Sequence, residues 1–172
     1  NYYLEKNNKP WRLEVIIEDT KTDAPTALSK MTSWFGAGVK FFFGPMASGE
    51  AKECLSYADA NKILYVSPSS TSPALIIKDD NLFRFCPHDF IQGPALGRLI
   101  WDAGVRYLIC TWRGDTWGDG LQAAAVAKFE ALGGVVYDKT VRYDTAKEDF
   151  PSEAALLKDY VQDLIDQGVP KG

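Results

Sequence analysis

Two hydroxyl-bearing loops and one tryptophan carry most of the chemistry legible in this chain. The first loop, residues 44–49 (Gly-Pro-Met-Ala-Ser-Gly), follows the apolar run at 39–43 and opens a stretch with helical spacing. That placement puts Ser48 and nearby backbone N–H groups at a helix N-terminus, where an anion is favoured. The second, residues 67–73, holds four serines, one threonine and two prolines after another short apolar run. Its hydroxyl and amide donors suit a carboxylate. The same residues also fit a plainer role, Ser48 as a helix N-cap and the serine run as a turn. A third loop, residues 111–118, ends in Trp117 at a helix start, where the ring either lies over a ligand or packs in the core. Arg113 and Asp115 are spaced to pair across that loop as a solvated ion pair. Residues 19–23 form a fourth loop after a strand.

Catalytic constellations are poor. The single histidine, His88, stands beside a proline with no serine or cysteine motif to complete a nucleophile and base pair, so a structural or hinge role is expected. There is no Gly-x-Ser-x-Gly elbow and no Gly-x-x-x-x-Gly-Lys phosphate loop, and Gly36-Ala37-Gly38 follows a helix pattern instead of joining a strand to a helix. Glu18 and Asp19 are the acidic residues at a strand end, but no lone aspartate follows the next strand to accept a phosphoryl group. Cys54, Cys86 and Cys110 are too few and too widely spaced for a metal site and read as small buried hydrophobes. No cofactor is implied.

These loops must be held by regular elements, and the chain is rich enough to build them. It has 172 residues, 46% hydrophobic and 24% charged, which excludes disorder and allows one domain or two small lobes. A net charge of -4 without a long basic run argues against nucleic acid as a partner. The longest apolar stretches fall far short of the roughly 20 residues that span a bilayer. Alternation at 13–17 predicts a strand. Asp23 and Pro25 predict the start of a helix marked by Ala27, Leu28, Met31, Trp34 and Phe35. Strands are then expected at 39–43, 63–66, 82–85, 106–110 and 135–141. Helices are expected from Ala47 to Ala58, from an Asp89 cap through Ile100, at 117–132 and at 151–167. Such alternation predicts parallel sheets covered by helices on both faces, an α/β fold with ligands at the carboxyl ends of the strands. Residues 86–89 read as a crossover between lobes.

Taken in order, Glu18-Asp19 to Pro25, Phe43-Gly44-Pro45 with Ser48, the run from Val66 to Pro73, and Phe83-Arg84-Phe85 with Asp89, Gln92 and Gly93 resemble the type I periplasmic binding proteins of the leucine/isoleucine/valine kind, the extracellular ligand-binding receptors. The resemblance extends from about Trp11 to the end. It implies a periplasmic-binding-protein-like type I α/β fold with two doubly wound lobes, here 1–85 and 86–172. A hinge joins the lobes, and an amino acid or related carboxylate is closed between them and passed to the membrane subunits of an ABC importer, outside the cytoplasm. It further implies that Ser48, Ser69, Ser70 and Thr71 hold the ligand's carboxylate and amino group from the first lobe, and that Trp117, before Gly118, covers the ligand.

The pattern also differs from that family. Its opening strand and glycine-containing loop have no counterpart before Trp11, and residues 1–8 look like the end of its first helix. The later second-lobe strands, with the acidic partner for a ligand ammonium, are absent. The chain begins with Asn1, and residues 1–6 lack the character of a signal peptide, so a processed or trimmed internal fragment is expected. An unpaired sheet edge left by a missing strand invites a dimer or strand exchange. The expected function is solute binding without catalysis. The alternatives are the ligand-binding ectodomain of a signalling receptor, set apart only by sequence C-terminal to residue 172, and an acid/base enzyme using Glu18, Asp19 or His88, which a pH–rate profile would reveal.

Overall fold

A computed structural model describes residues 1–170. The elements follow in the order α1 (Tyr2–Lys6), α2 (Ala24–Gly36), β1 (Phe41–Phe43), α3 (Ser48–Ala60), β2 (Leu64–Ser67), β3 (Leu82–Arg84), α4 (Asp89–Asp102), β4 (Tyr107–Leu108), β5 (Thr111–Arg113), α5 (Thr116–Ala131), β6 (Val135–Val136), β7 (Val141–Tyr143) and α6 (Pro151–Asp166). A short 3₁₀ turn, Pro73–Leu75, follows the serine run.

The first sheet is parallel in the order β1-β2-β3, with Phe43 opposite Val66 and Val66 opposite Phe83. Its inner face is covered by α2 and α3. Ala27 and Met31 from one helix and Ala51, Cys54, Leu55 and Ala58 from the other bury against Tyr65, Leu82 and the partly buried Phe42. Helix α2 begins where its sequence predicts, with the Asp23 carboxylate accepting from the Thr26 N–H at 2.9 Å and Pro25 in the first turn. Helix α3 is preceded by Ala47 as its N-cap residue, so the plain N-cap reading of Ser48 fails: Ser48 is the first helical residue. Asp89 likewise does not cap α4. His88 holds the N-cap position and Asp89 is the first residue inside the helix.

Two expectations fail for want of neighbours. Residues 13–17 form no strand: Leu13, Val15 and Ile17 are exposed, and the segment is tied by the Asn1 side-chain amide, which donates to the Leu13 carbonyl at 3.0 Å and accepts from its N–H at 2.7 Å. Period-two alternation gives an extended chain, but a strand exists only through an adjacent strand's hydrogen bonds. The first sheet is also covered on one face only. Its other face exposes Phe41, Phe43, Leu64, Phe83 and Phe85.

In the second half, the strand expected at 106–110 is interrupted and continues further, as β4 and β5. That expected at 135–141 becomes β6 and β7. These pair in parallel, Leu108 with Val136 and Thr111 with Val141. Two residues separate β4 from β5 where four separate β6 from β7, and the unequal spacing breaks the ladder as a bulge does. Helix α4 packs on α5 through Gly93 and Gly97. A Cβ on Gly93 would overlap Ala124, and one on Gly97 would run into the Ala125 carbonyl. Beneath them, Ala125, Phe129, Cys110 and Val141 are buried.

Candidate functional site

The site grows from the ends of β1 and β2. Gly44 follows β1 with φ at +111°, a backbone region that favours glycine, and its N–H donates to the Val66 carbonyl at 2.8 Å. The chain is thereby carried past the end of β2, so residues 45–48 lie against the serine run. The Ser67 hydroxyl, at the end of β2, sits 2.8 Å from the Pro45 carbonyl and 2.6 Å from the Ser70 hydroxyl, and it accepts from the Ser70 N–H at 3.1 Å. Ser69 and Ser70 donate their hydroxyls to the Met46 carbonyl at 3.0 and 3.1 Å. The Ser72 N–H donates to the Ser48 hydroxyl at 3.2 Å. From β3, Arg84 donates to the carbonyls of Ser70 and Ser72, both at 3.0 Å, and fixes the loop from behind.

The four hydroxyls singled out by the sequence are therefore gathered in one place, but in unequal states. Ser69 and Ser70 commit their protons to Met46. Ser48, buried, accepts a hydrogen bond through its oxygen, and the Thr71 hydroxyl lies beside the Asp89 carboxylate.

Helix α5 arrives opposite this loop. Asp115 caps it, accepting from the Gly118 N–H at 2.7 Å, and its Thr116 carbonyl accepts the Ser72 hydroxyl at 2.8 Å. Gly120 faces Pro73 so closely that a Cβ there would stand 3.0 Å from the proline ring. Trp117, next along from Thr116, is half-buried, with the Arg113 guanidinium 5.3 Å from its ring centroid. The Arg113–Asp115 pair forms at 2.5 Å, but with side chains only 29% and 17% exposed it is a largely buried pair, not the solvated one expected. Behind it, Asp119 accepts both Arg142 donors, at 2.8 and 2.9 Å, and the Trp112 indole at 2.8 Å. The Arg142 guanidinium lowers the Asp119 carboxyl to about 2 against a desolvation penalty, and the weaker Trp112 bond acts in the same direction.

Several residues of this arrangement escape sequence reading. Ser67 and Ser72 stand inside the serine run with no separate signal of their own, and Arg84 and Asp89 lie in the stretch 83–93 that carries the family pattern. Asp89 is fully buried, with its N–H donating to the Thr71 carbonyl at 2.9 Å and its carboxylate beside the Thr71 hydroxyl. Burial pushes its carboxyl above the usual range, opposed by the Thr71 hydroxyl and the charges of Arg84 and His88. Of the candidate acid/base groups, Glu18 is held by Lys30 at 2.5 Å and the Trp34 indole at 3.2 Å. These contacts pull its pKa down and leave it a poor proton acceptor near neutral pH. Asp19 accepts from the Lys21 N–H in a local turn.

The chain as a whole is similar to known proteins. The family model described as periplasmic binding protein matches residues 6–165. An uncharacterized protein of Methanocaldococcus jannaschii is 37% identical over 150 residues, covering 84% of this chain and 36% of that protein. Among solved structures, the leucine binding protein LivK of Thermotoga maritima superposes with a TM-score of 0.79 at 23% identity, covering 92% of this chain and 47% of that one. A solute binding protein from R. palustris, in complex with benzoate, gives a TM-score of 0.78 at 18% identity, covering 91% of this chain and 45% of that one. The chain thus spans about a third of the length of that archaeal relative and just under half of these solved structures. Its fold is the type I periplasmic-binding-protein fold, α/β with parallel sheets, and the chain belongs to the periplasmic binding protein family.

Proposed function

We propose that the chain provides ligand-binding surfaces of a solute-binding protein that serves an ABC importer at the periplasmic or outer cell surface. It takes an amino acid or related small carboxylate between two lobes divided near residue 85 and does so without turnover. The observation that carries this reading is the convergence of Ser48 and the Ser69, Ser70 and Thr71 loop on the start of α5, where Trp117 stands. Hydroxyl donors at the strand ends of one lobe meet, through the Ser72–Thr116 contact, the first turn of the helix from the other that carries Trp117, elements suited to a small molecule with an anionic end and a flat or apolar body. The relatives named for binding leucine and benzoate fit the same description, one carboxylate each with a differing body.

The test is calorimetric titration of the full-length protein with leucine and with benzoate. In Ser48→Ala and in Thr71→Ala, the compound that binds should lose about 1 to 2 kcal/mol, the scale of a hydrogen bond to a charged group. Trp117→Ala should cost roughly 1 to 3 kcal/mol of binding while the ligand-free melting temperature stays nearly constant, because a cleft ring is not core packing. Unchanged affinity in both hydroxyl variants removes the carboxylate assignment. A large drop in melting temperature with normal affinity returns Trp117 to the core.

A further inference from the structure

We propose that Arg84 is a positioning residue for ligand binding: with Cys86 and Asp89 it clamps the backbone of the serine loop to the crossover that follows β3, so that the loop holds its arrangement before a ligand arrives. The proposal rests on the carboxylate reading of the serine loop and adds what sets that loop's shape.

Residues 68–72 belong to no helix or strand, so their carbonyls have no ladder to bond and must find donors elsewhere. Three in a row find them in one short stretch, from Arg84 to Asp89. The register of the first sheet sets Arg84, the last residue of β3, opposite Ser67, where the serine run begins. From there a single Arg84 nitrogen, Nη1, donates to the Ser70 and Ser72 carbonyls, both at 3.0 Å. The Cys86 thiol, 3.6 Å from the Ser70 carbonyl, is a second and weaker donor to it. Between the two, the Thr71 carbonyl accepts the Asp89 N–H at 2.9 Å, and the Thr71 hydroxyl lies beside the Asp89 carboxylate. One nitrogen bonded to two carbonyls fixes their separation, and the third bond pins the peptide between them. The bonds from Arg84 come from a cation and are stronger than those of a neutral donor.

The clamp grips the carbonyls and leaves the loop's other polar groups to the α3 side. There the Ser69 and Ser70 hydroxyls reach Met46, and the Ser72 N–H reaches Ser48. The carboxylate reading depends on these groups, and their spacing follows from where Arg84 holds the backbone. The clamp also has a far end. Asp89 is the first residue of α4, which packs on α5 through Gly93 and Gly97, and α5 carries Trp117. One continuous set of contacts thus runs from the hydroxyl loop to the helix that bears the aromatic ring. A loop already in place spares the ligand the entropy of ordering it, a cost that returns once the clamp is removed.

The experiment uses Arg84→Met and Arg84→Lys in the full-length protein, with two readouts: hydrogen exchange of the peptide spanning residues 67–75 without ligand, and calorimetric titration with leucine and with benzoate. Arg84→Met should speed exchange in that peptide by about tenfold or more and leave peptides of α2 unchanged. It should also weaken the compound that binds by about ten- to thirtyfold. Arg84→Lys keeps the charge without the rigid planar group and should recover part of both losses. Combined with Thr71→Ala, Arg84→Met should cost less than the product of the two separate losses, because both act through one loop. Faster exchange with normal affinity would make Arg84 a merely structural residue and overturn the proposal. So would unchanged exchange or, where Thr71→Ala itself binds weakly, losses that multiply. Should the melting temperature show that Arg84→Met does not fold, Arg84→Lys decides: partial losses in both readouts uphold the proposal, and wild-type values in either overturn it. Failure of the carboxylate reading looks different. Ser48→Ala and Thr71→Ala then bind normally while Arg84→Met binds poorly with a loosened loop, and Arg84 still acts through the loop's backbone. A wild type that takes up neither compound overturns both.

Discussion

At the residue scale, side-chain chemistry is readable from the sequence but its wiring is not. A run of hydroxyls after an apolar strand announces donors at a strand end, and the structure gathers Ser48, Ser69, Ser70 and Thr71 there. Which of them keeps a free proton depends on Met46 and Ser72, whose backbone groups reach the loop from a different strand end or across the turn, and no local spacing encodes that. Asp89 reads locally as a cap because aspartate before a helical stretch usually is one. The fold puts His88 at the N-cap position and buries Asp89 inside the first turn. Asp119 has a testable role of another kind. Its carboxyl is drawn from the usual 3.8 to about 2 chiefly by Arg142. A depressed native pKa means that the pair's stabilisation is present above the unfolded value and is lost as pH falls toward the folded one. Both side chains are about half exposed, so the contribution is small and salt-screened. The melting-temperature difference between the wild type and Arg142→Gln should be constant above about pH 5 and shrink toward zero between about pH 4 and 2. A difference that persists at the acid end of that range would show that Arg142 acts through packing.

At the element scale, helices are legible and strands only partly so. A helix satisfies its hydrogen bonds within itself, so the caps and spacing around Asp23 and Pro25 define α2 from local sequence. A strand is completed by its neighbours, which is why residues 13–17 stay unpaired and why β4 and β5 emerge from one expected strand. The packing of α4 on α5 is also hidden, because Gly93 and Gly97 read as helix-weakening residues until Ala124 and Ala125 are seen against them. Gly97→Ala gains about 1 kcal/mol in helix propensity, yet its Cβ would press on the Ala125 carbonyl and stand 3.0 Å from the Lys128 Cβ. Backbone cannot yield as a flexible side chain does, so overpacking wins. Urea unfolding should show a net loss of about 1 to 2 kcal/mol. Gly36→Ala, in open space at the end of α2, should show no comparable loss. Equal effects at the two glycines would mean that α4 and α5 do not approach so closely.

At the scale of the whole molecule, the alternation of strands and helices correctly indicates parallel sheets, and the order of motifs indicates the family. It does not indicate that one face of the first sheet is exposed among the described residues. Among the described residues Phe41, Phe43, Phe83 and Phe85 are exposed on that face, and burying a phenylalanine is worth roughly 1.5 to 3 kcal/mol. The edge of β1 is open too. Lys40 and Gly44 bond toward β2, so by alternation the backbone groups of Phe41 and Phe43 face outward. The proposed function depends on a scale larger still: it takes the Ser72–Thr116 contact as a meeting point of two lobes that close on a ligand. Native mass spectrometry of the gently purified full-length protein, with its Ser48→Ala, Thr71→Ala double variant alongside, tests that claim most directly. The account predicts that the wild type carries one small carboxylate compound, recovered unchanged after denaturation, and that the double variant is largely empty. Equal occupancy of both proteins, or conversion of the bound compound into a different product, would contradict it.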